Sequence, residues 1–334
     1  MKAIPHFADI RMAQSRLGPW IHRTPIVRSR SFDQLCGALV SFKCENLQRG
    51  GAFKARGAIN AVRSLDDVTA VKGVITHSSG NHGAALALAA HERGIAADVV
   101  VPVGTPKIKI MAIERYGARL HLCEPTLRAR EDAADALVNV RGGTLIHPFD
   151  DPAVIAGQGT AALELLEDAP DLEVLMAPVS GGGLLAGTAL AAHGMNPSAV
   201  VFGAEPLAAD DAARSFAAGR LIQDGNRPTI ADGLRATLSP LTLDLIRAHV
   251  AGIATVDEDE IVGAMRLFWD IFKLVIEPSS AVPVAALLSR RTPAFLGRRV
   301  GVILSGGNVD LDALPWMGHR AQGAGKPLEK PDGS

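Results

Sequence analysis

The stretch "GVITHSSGNHGAALALAAHERG", residues 73–94, gives the clearest indication of the fold. It opens with a short strand-like run, passes through a polar turn and continues as an Ala- and Leu-rich helical pattern that ends at Gly94. β-Branched residues favour strands, and Ala and Leu favour helices. A strand followed directly by a helix is half of a βαβ unit, so this stretch predicts a parallel sheet covered by helices.

The same alternation runs through most of the chain. Further strands are predicted at "AADVVVPVG" (96–104), "ARLHLCE" (118–124), "TLIHPF" (144–149), "LEVLMAPV" (172–179), "AVVFGAEP" (199–206) and "RVGVILSGGN" (299–308). Helical patterns are predicted at residues 106–117, 127–143, 154–169, 183–194 and 257–272. Strands joined by helical crossovers form parallel sheets. The sequence therefore predicts an α/β fold with two lobes, each an open, mostly parallel twisted sheet flanked by helices.

Composition limits the class of protein. The 334 residues suffice for two domain cores, and 48% hydrophobic with 21% charged residues is typical of a globular protein. The formal net charge of −1 provides no basic excess to hold a nucleic acid, so no such partner is expected. Cys36, Cys44 and Cys123 are odd in number and form no CxxC motif, which indicates reduced thiols and a cytoplasmic location.

No membrane segment is expected either. Residues 174–194 are long and uncharged, but a proline and a glycine cluster divide them into a short apolar run and a separate helix. The N-terminal residues 1–18 carry charges throughout and lack the apolar core of a signal peptide.

Three glycine- or serine-rich loops follow predicted strands. They are "HSSGNHG" (77–83), "VSGGGLLAG" (179–187) and "LSGGN" (304–308). One such loop could be a tight turn and nothing more, because turns need glycine for their geometry. Ligands of α/β proteins bind outside the carboxyl ends of the strands, so three loops at such ends predict a binding site.

Each loop has a chemistry that suits part of a ligand, beside a plainer explanation. Ser180 and the glycines after it precede a helix, whose bare N–H groups can bind an anion, although a tight turn explains them about as well. The loop has neither a P-loop ending nor a dinucleotide fingerprint. Ser78, Ser79 and Asn81 can hold a carboxylate or cap a helix. The hydroxyl of Ser305 can contact a heterocyclic nitrogen or lie in an ordinary turn.

Lys54 is a candidate nucleophile that could act on the same ligand as these loops. It lies in "GGAFKARGAIN", residues 50–60, at a predicted helix start, where the helix dipole disfavours a positive charge. A solvated lysine is the plain interpretation. A lysine amine, an anion-binding loop and a partner for a ring nitrogen are, however, what binding pyridoxal phosphate requires. Two alternatives remain: a nicotinamide enzyme that uses residues 180–187 as its pyrophosphate turn, and a non-catalytic binding protein.

A resemblance supports the first of these hypotheses. The sequence resembles the serine/threonine dehydratase and serine racemase family of fold-type II pyridoxal-phosphate enzymes, which have the two-lobed, tryptophan synthase β-like fold. It extends from about Ile4 to Leu311 and rests on "ENLQRGGAFKARGAINA" (45–61), "THSSGNHGAALALAA" (76–90), "HPFDDPAVIAGQGTAALELL" (147–166), "VSGGGLLAG" (179–187), "GAEPLAADDA" (203–212), "IADGL" (230–234) and "LSGGNVD" (304–310).

The resemblance also implies how the chain is divided. Residues 1–70 and 151–317 would form a large cofactor-binding domain, residues 71–150 a small mobile domain and residues 318–334 a flexible tail. A homodimer and a small-molecule amino-acid substrate are implied as partners.

The resemblance implies roles for individual residues. Lys54, beside Phe53, would bind the cofactor and act as a catalytic base, and Ser79 would transfer a proton on the opposite face. Cofactor contacts would come from Asn81 at the ring hydroxyl, Ser305 at the pyridine nitrogen, Gly233 over one face, and the loop of Ser180, Gly181, Gly182, Gly183 and Leu184 at the phosphate. The substrate would contact Ser78, Ser79, Asn81, His82 and Arg130.

A divalent cation is implied as well. Glu205 and Asp211, with the carbonyl of Ala209, resemble the family's loop for Mg²⁺, Ca²⁺ or Mn²⁺, ions that prefer oxygen ligands. From the residues alone, these carboxylates would be solvated loop charges. His77 and His82 bracket a turn, and no HExxH or paired Cys/His spacing is present, so these histidines indicate no metal site.

The reaction implied is β-elimination of water from a small β-hydroxy amino acid such as L-serine or L-threonine, giving a 2-oxo acid and ammonia, with racemisation as a side reaction. Arg130 can pair with a second carboxylate, so 3-hydroxyaspartate is an alternative substrate, and serine racemase is an alternative activity. Three positions depart from the family pattern: Ser180 stands where a glycine is common, Ala52 where a serine is usual, and Ala236 where racemases have a polar residue.

Overall fold

The computed structural model describes residues 3–78, 80–105, 107–223, 228–289 and 295–317. The strands of these ranges form two sheets, one of six strands and one of four. Helices lie between the strands along the chain, and every strand pair is parallel except that of the two N-terminal strands. The predicted α/β fold with mostly parallel sheets is confirmed.

The larger sheet contains the first two strands and the last four. They are β1 (Ile26–Val27), β2 (Leu39–Cys44), β7 (Val174–Pro178), β8 (Val200–Pro206), β9 (Gly252–Val256) and β10 (Arg299–Leu304), in the order β1-β2-β10-β7-β8-β9. β10 is buried after its first residue. A strand covered on both faces has a continuous apolar sequence, as "RVGVIL" has.

The smaller sheet is built from a continuous part of the chain. Its strands are β3 (Val74–His77), β4 (Ala97–Pro102), β5 (Arg119–Cys123) and β6 (Thr144–Leu145), in the order β5-β4-β3-β6. All four lie within residues 71–150, the range predicted for the small domain. The mobility of that range and the exact domain limits stay predictions, and the predicted flexible tail, residues 318–334, lies outside the described residues.

Helices connect the strands. They are α1 (Phe7–Leu17), α2 (Arg30–Cys36), α3 (Lys54–Ser64), α4 (Asp67–Ala70), α5 (Asn81–Arg93), α6 (Lys107–Glu114), α7 (Leu127–Arg141), α8 (Pro152–Asp168), α9 (Gly183–Met195), α10 (Asp211–Ala218), α11 (Pro240–His249), α12 (Glu258–Phe272) and α13 (Pro278–Leu288). α8 shows why a helix begins where it does. The Asp151 carboxylate accepts the N–H groups of Ala153 and Val154, and Pro152 occupies the first turn.

α3 lies between α5 and α8, and one hydrophobic cluster joins the three helices. Ile59 of α3, Leu86 of α5 and Ile155 of α8 are buried in it. A side chain at Gly157 would come within 2.6 Å of the Arg56 carbonyl oxygen, so the glycine lets α8 approach α3 backbone to backbone. The first turn of α3 is therefore packed closely against α8.

No helix among the described residues has both the length and the apolar character needed to cross a membrane.

Candidate active site

A cleft of about 1720 Å³ opens where β3, β7 and β10 end. The described residues that were predicted to contact cofactor or substrate all line it: Phe53, Lys54, Ser78, Asn81, His82, Arg130, Ser180, Gly181, Gly182, Gly183, Leu184, Gly233 and Ser305. Ser79 lies outside the described residues. The predicted cation ligands Glu205, Ala209 and Asp211 are not among the lining residues.

Lys54 occupies the first position of α3. Its Nζ donates a hydrogen bond to the Pro148 carbonyl oxygen at 2.9 Å and lies 5.0 Å from the centre of the Phe53 ring. The turn that carries Pro148 is held by Nδ1 of His147, which accepts the N–H of Asp150 at 2.9 Å. Burial lowers the pKa of Lys54 to about 8. A minor fraction of the amine, larger than for an ordinary lysine, is therefore uncharged near neutral pH, and the uncharged form acts as the nucleophile.

The loop before α9 has the geometry of an anion site. Gly182, with φ of 88°, adopts the left-handed conformation at the N-cap, and no described side chain caps the helix. A Cβ at Gly181 would lie 2.2 Å from the Phe149 ring, and one at Gly182 would lie 2.7 Å from Leu238. Only glycines fit this turn, which leaves backbone N–H groups at the positive end of the helix. The phosphate of pyridoxal phosphate fits these groups.

The end of β10 places an uncharged side chain, Ser305, where a heterocyclic nitrogen of a ligand could contact it. The Ser305 hydroxyl is buried and lies 3.1 Å from the Ser280 hydroxyl. The Ser305 carbonyl oxygen accepts the N–H of Phe53 at 2.9 Å, which ties this strand end to the start of α3. A heterocyclic nitrogen at this position would meet a hydroxyl and not a carboxylate. Ser280 was not found from the sequence.

Asn81 is the centre of a polar network that joins the two sheets. Its Nδ2 donates to both carboxylate oxygens of Glu277, at 3.0 and 3.1 Å, and its Oδ1 accepts from Nδ2 of Asn308 at 2.9 Å. Asn308 also donates to the Gly50 carbonyl oxygen at 2.8 Å. The amide of Asn81 is thus oriented before any ligand arrives.

Glu277 is the functional candidate that the sequence analysis missed. Burial raises its pKa to about 7, Asn81 opposes this by hydrogen bonding, and the charge of Asp232 adds to it. A signal was available: Glu277 is the only charged residue in "LVIEPSSAVPVAA", residues 274–286. A lone carboxylate in an apolar stretch needs a partner, and here the partner is Asn81.

Two histidines of the cleft stay neutral. Burial, helped by the charge of Arg130, lowers the pKa of His77 to about 4. Burial, helped by Lys54, lowers that of His82 well below its usual value, and Nε2 of His82 lies 3.3 Å from the Ile146 carbonyl oxygen. The part of the chain that the structure describes contains no group of three or more His, Cys, Asp or Glu side chains able to hold a metal ion.

Arg130 lines the cleft from α7. Its Nε lies 3.4 Å from the Thr126 carbonyl oxygen, and none of the described carboxylates forms an ion pair with it. Its neighbour Arg128 is different, because it is exposed and pairs with Asp132 along the helix at 3.6 Å. The guanidinium charge of Arg130 can therefore meet an acidic group of a ligand.

The predicted cation site lies at the end of β8. Glu205 is fully buried, and its carboxylate accepts the N–H groups of Ala212 at 3.0 Å and Ala213 at 2.9 Å. Burial raises its pKa to about 9, and the charge of Asp211 adds to the shift. A buried carboxylate beside a second acid fits a cation. Because no larger set of acidic or histidine side chains converges here, backbone oxygens such as that of Ala209 would have to complete the ligands.

Behind Lys54, a network of buried charges holds α3. Arg56 donates to Glu45 at 2.7 and 2.8 Å and to Glu164 at 2.8 Å from two of its nitrogens. Lys43 donates to Glu164 at 2.6 Å, and Thr24 donates to Glu45 at 2.6 Å. Two positive charges face two negative ones, so the network is balanced and fixes the helix that carries the lysine.

Three comparisons with known proteins bear on this site. The family model described as "Pyridoxal-phosphate dependent enzyme" matches residues 17–306. The β-hydroxyaspartate dehydratase of Paracoccus denitrificans is 49% identical over 94% of this chain and 99% of its own length. A serine racemase of Arabidopsis thaliana is 48% identical over 92% of this chain and 94% of its own. The solved structure of maize serine racemase superposes with a TM-score of 0.91 at 44% identity, covering 93% of this chain and 95% of that one.

Proposed function

Because the chain belongs to the family of pyridoxal-phosphate dependent enzymes, we propose that it removes water from a small β-hydroxy amino acid. The released enamine would then be hydrolysed to a 2-oxo acid and ammonia. The observation that carries the proposal is the partly neutral amine of Lys54 in one cleft with an uncapped glycine loop and a neutral Ser305. The family match favours this activity over the nicotinamide alternative.

The residues of the cleft fit the cofactor part by part. The N–H groups of Gly181, Gly182, Gly183 and Leu184 would hold the phosphate, Asn81 the ring hydroxyl and Ser305 the ring nitrogen. Pyridoxal phosphate, when bound, withdraws electrons from the α-carbon of an amino acid attached to it. A hydroxyl opposite the ring nitrogen limits that withdrawal, which suits elimination and racemisation better than transamination.

Two residues would handle protons. The amine of Lys54 lies at one wall of the cleft and would take the α-proton of the substrate. Ser79, proposed for the opposite face, would return a proton with inverted configuration and so allow racemisation as a side reaction. Ser78 and His82 would hold the substrate carboxylate together with Asn81. The Ser78 hydroxyl already accepts the N–H of Gly80 at 3.4 Å.

Borohydride reduction tests the cofactor assignment. The purified protein should be yellow, and reduction should attach the cofactor covalently to Lys54, as found by peptide mass spectrometry. Lys54→Ala should lose the covalent adduct and the activity, whereas the control Lys72→Ala, at an exposed lysine, should retain both. A colourless wild-type protein that binds a nicotinamide cofactor would contradict the proposal.

We propose a default substrate and a second candidate. L-Serine or L-threonine is the default, and 3-hydroxyaspartate is the second candidate because Arg130 has no described carboxylate partner. The Paracoccus relative, which carries the name of that activity, supports the second candidate. In kcat/KM measurements, Arg130→Ala should reduce 3-hydroxyaspartate turnover far more than serine turnover, and Arg128→Ala serves as the control. Equal losses on both substrates would refute a selective carboxylate contact.

A divalent cation at Glu205, Asp211 and the Ala209 carbonyl is part of the proposal, as a structural or activating site. Chelation should lower thermal stability, Mg²⁺ should restore it, and Glu205→Ala should be insensitive to both. Unchanged stability of the wild type on chelation would remove the site. A homodimer, to be tested by sedimentation, and a cytoplasmic location are further parts. The location is supported by Cys44 and Cys123, which form no disulfide within the described residues.

A further inference from the structure

Two of the three positions that depart from the family pattern contact each other. The Ser180 hydroxyl accepts the N–H of Ala236 at 2.9 Å and lies 3.3 Å from the Ala236 carbonyl oxygen, to which it donates. The hydroxyl therefore donates one hydrogen bond and accepts another, both with the backbone of Ala236, which lies 56 residues further along the chain. The hydroxyl is engaged before any phosphate arrives, so a phosphate contact of Ser180 would come from its backbone.

The segment that Ser180 holds covers one side of the cleft. Residues 230 and 232–240 line it, and Gly233, proposed to lie over a cofactor face, belongs to this segment. Asp232 forms an ion pair with Lys109 of α6, which follows the smaller sheet's strand β4. The segment thus runs between the phosphate loop and the opposite wall of the cleft.

Other anchors of the segment lie at its beginning and middle. The N–H of Ile230 binds Glu258 at 2.8 Å, and that of Gly233 binds the Ser279 hydroxyl at 3.2 Å. Leu238 of the segment packs close to Gly182 of the phosphate loop, and the Ser180 hydroxyl adds direct hydrogen bonds between the segment and the same loop. Glycine at position 180, as the family pattern would have it, has no side chain to make this link.

We propose that Ser180 is a positioning residue that locks the Gly233 segment to the phosphate loop, so that the cleft is ordered for the cofactor before it binds. The inference rests on the proposed pyridoxal-phosphate function. Its physical basis is preorganisation: a segment already fixed in the free protein loses less conformational freedom when a ligand binds. The backbone at Ser180 has no positive φ, so alanine removes the hydroxyl without straining the loop.

Titration of the apoprotein with pyridoxal phosphate tests the proposal. Ser180→Ala and Ser180→Gly each remove both hydrogen bonds to Ala236, so the segment must be ordered when the cofactor binds. The cofactor Kd should rise about threefold to tenfold, a free-energy cost of the size of one net hydrogen bond. The fluorescence of the bound cofactor should shift, because its face is less well covered. Ser180→Thr retains the hydroxyl and should restore both values. Ser198→Gly is the matched control, because Ser198 is exposed, lies beyond the other end of α9 and donates only to Asn196.

The outcomes separate the two proposals. Unchanged Kd and cofactor fluorescence in Ser180→Ala would overturn the role of Ser180, even if the apoprotein melted at a lower temperature. An effect in Ser180→Gly alone would also overturn it, because backbone flexibility and not the hydroxyl would then be the cause. A wild-type protein that binds no pyridoxal phosphate would overturn the proposed function together with this inference.

Discussion

Replacing Arg56 by methionine should destabilise the protein by about 3–5 kcal/mol, the cost of leaving a buried charge without its partner. Arg56 is fully buried and binds both Glu45 and Glu164. Without it, the single positive charge of Lys43 faces two carboxylates. The net charge of the buried cluster changes from zero to −1, and methionine supplies none of the lost hydrogen bonds.

The loss should depend on pH in a defined direction. Burial pushes the pKa of Glu164 up, but hydrogen bonds and charges of Arg56 and Lys43 outweigh it and hold the pKa below its usual value. In the wild type this carboxylate therefore adds stability above its unfolded pKa, and the contribution is lost as the pH falls. In Arg56→Met, the hydrogen bonds and charge of Arg56 no longer oppose the effect of burial, so the pKa of a buried carboxylate rises and the carboxylate takes up a proton more readily. The difference between variant and wild type should consequently shrink from pH 8.5 to pH 5.5.

Urea unfolding of the apoprotein, followed by tryptophan fluorescence at both pH values, measures the effect. Arg11→Met is the control, because the Arg11–Glu167 pair is exposed and should contribute only ~0–1 kcal/mol. The double variant Arg56→Met/Glu45→Gln restores charge balance through the Lys43–Glu164 pair and should recover part of the loss. A loss below about 1 kcal/mol, or one equal at both pH values, would refute the reasoning.

Three further predictions follow from single residues. Glu277→Gln should flatten the dependence of stability on pH between about 4.5 and 7. The pKa of Glu277 is about 7 in the folded protein, above the usual 4.5, so the wild type loses stability as the pH rises through that window. Thermal melts of both proteins at several pH values measure the difference. Lys273→Gly should stabilise the protein by about 0.5 kcal/mol. Lys273, with φ of 56°, is the one non-glycine residue of the described chain in the left-handed region, which glycine adopts more easily. Urea unfolding measures the change, and a loss of stability would contradict the prediction. Gly181→Ala should abolish cofactor binding in an absorbance titration, because its methyl group would overlap the Phe149 ring, and near-normal affinity would show that the loop can shift.

Runs of branched apolar residues were sufficient to predict several strands. β4 was predicted from the valines at residues 99–101, and β10 from the apolar residues that follow Arg299. β2, "LVSFKC", was missed because Lys43 interrupts its apolar pattern; the charge is neutralised by Glu164, 121 residues away, which no local pattern reveals. α13 was missed for another reason: Pro283 lies within it, and an interior proline usually ends a helix, whereas Pro278 occupies the first turn, where proline is tolerated.

The candidate site was predictable where one loop carries the chemistry. Lys54, Asn81 and the glycine loop were found because each follows or begins an element with a recognisable pattern. Glu277 was not, because its role depends on Asn81, 196 residues earlier in the chain. The contact of Ser180 with Ala236 was also hidden: the sequence marked each as a departure from the family pattern, but only the fold brings them together.

The position of α3 determines how the reactive amine responds to motion. α3 packs on α5, which follows β3 of the smaller sheet, and on α8, which precedes β7 of the larger one. If one sheet rotated relative to the other about an axis near this helix, points close to the axis would move least. Lys54 would be displaced less than Lys109 at the rim of the cleft. The amide hydrogens of α3 should accordingly exchange with deuterium more slowly than those of α6, with or without ligand.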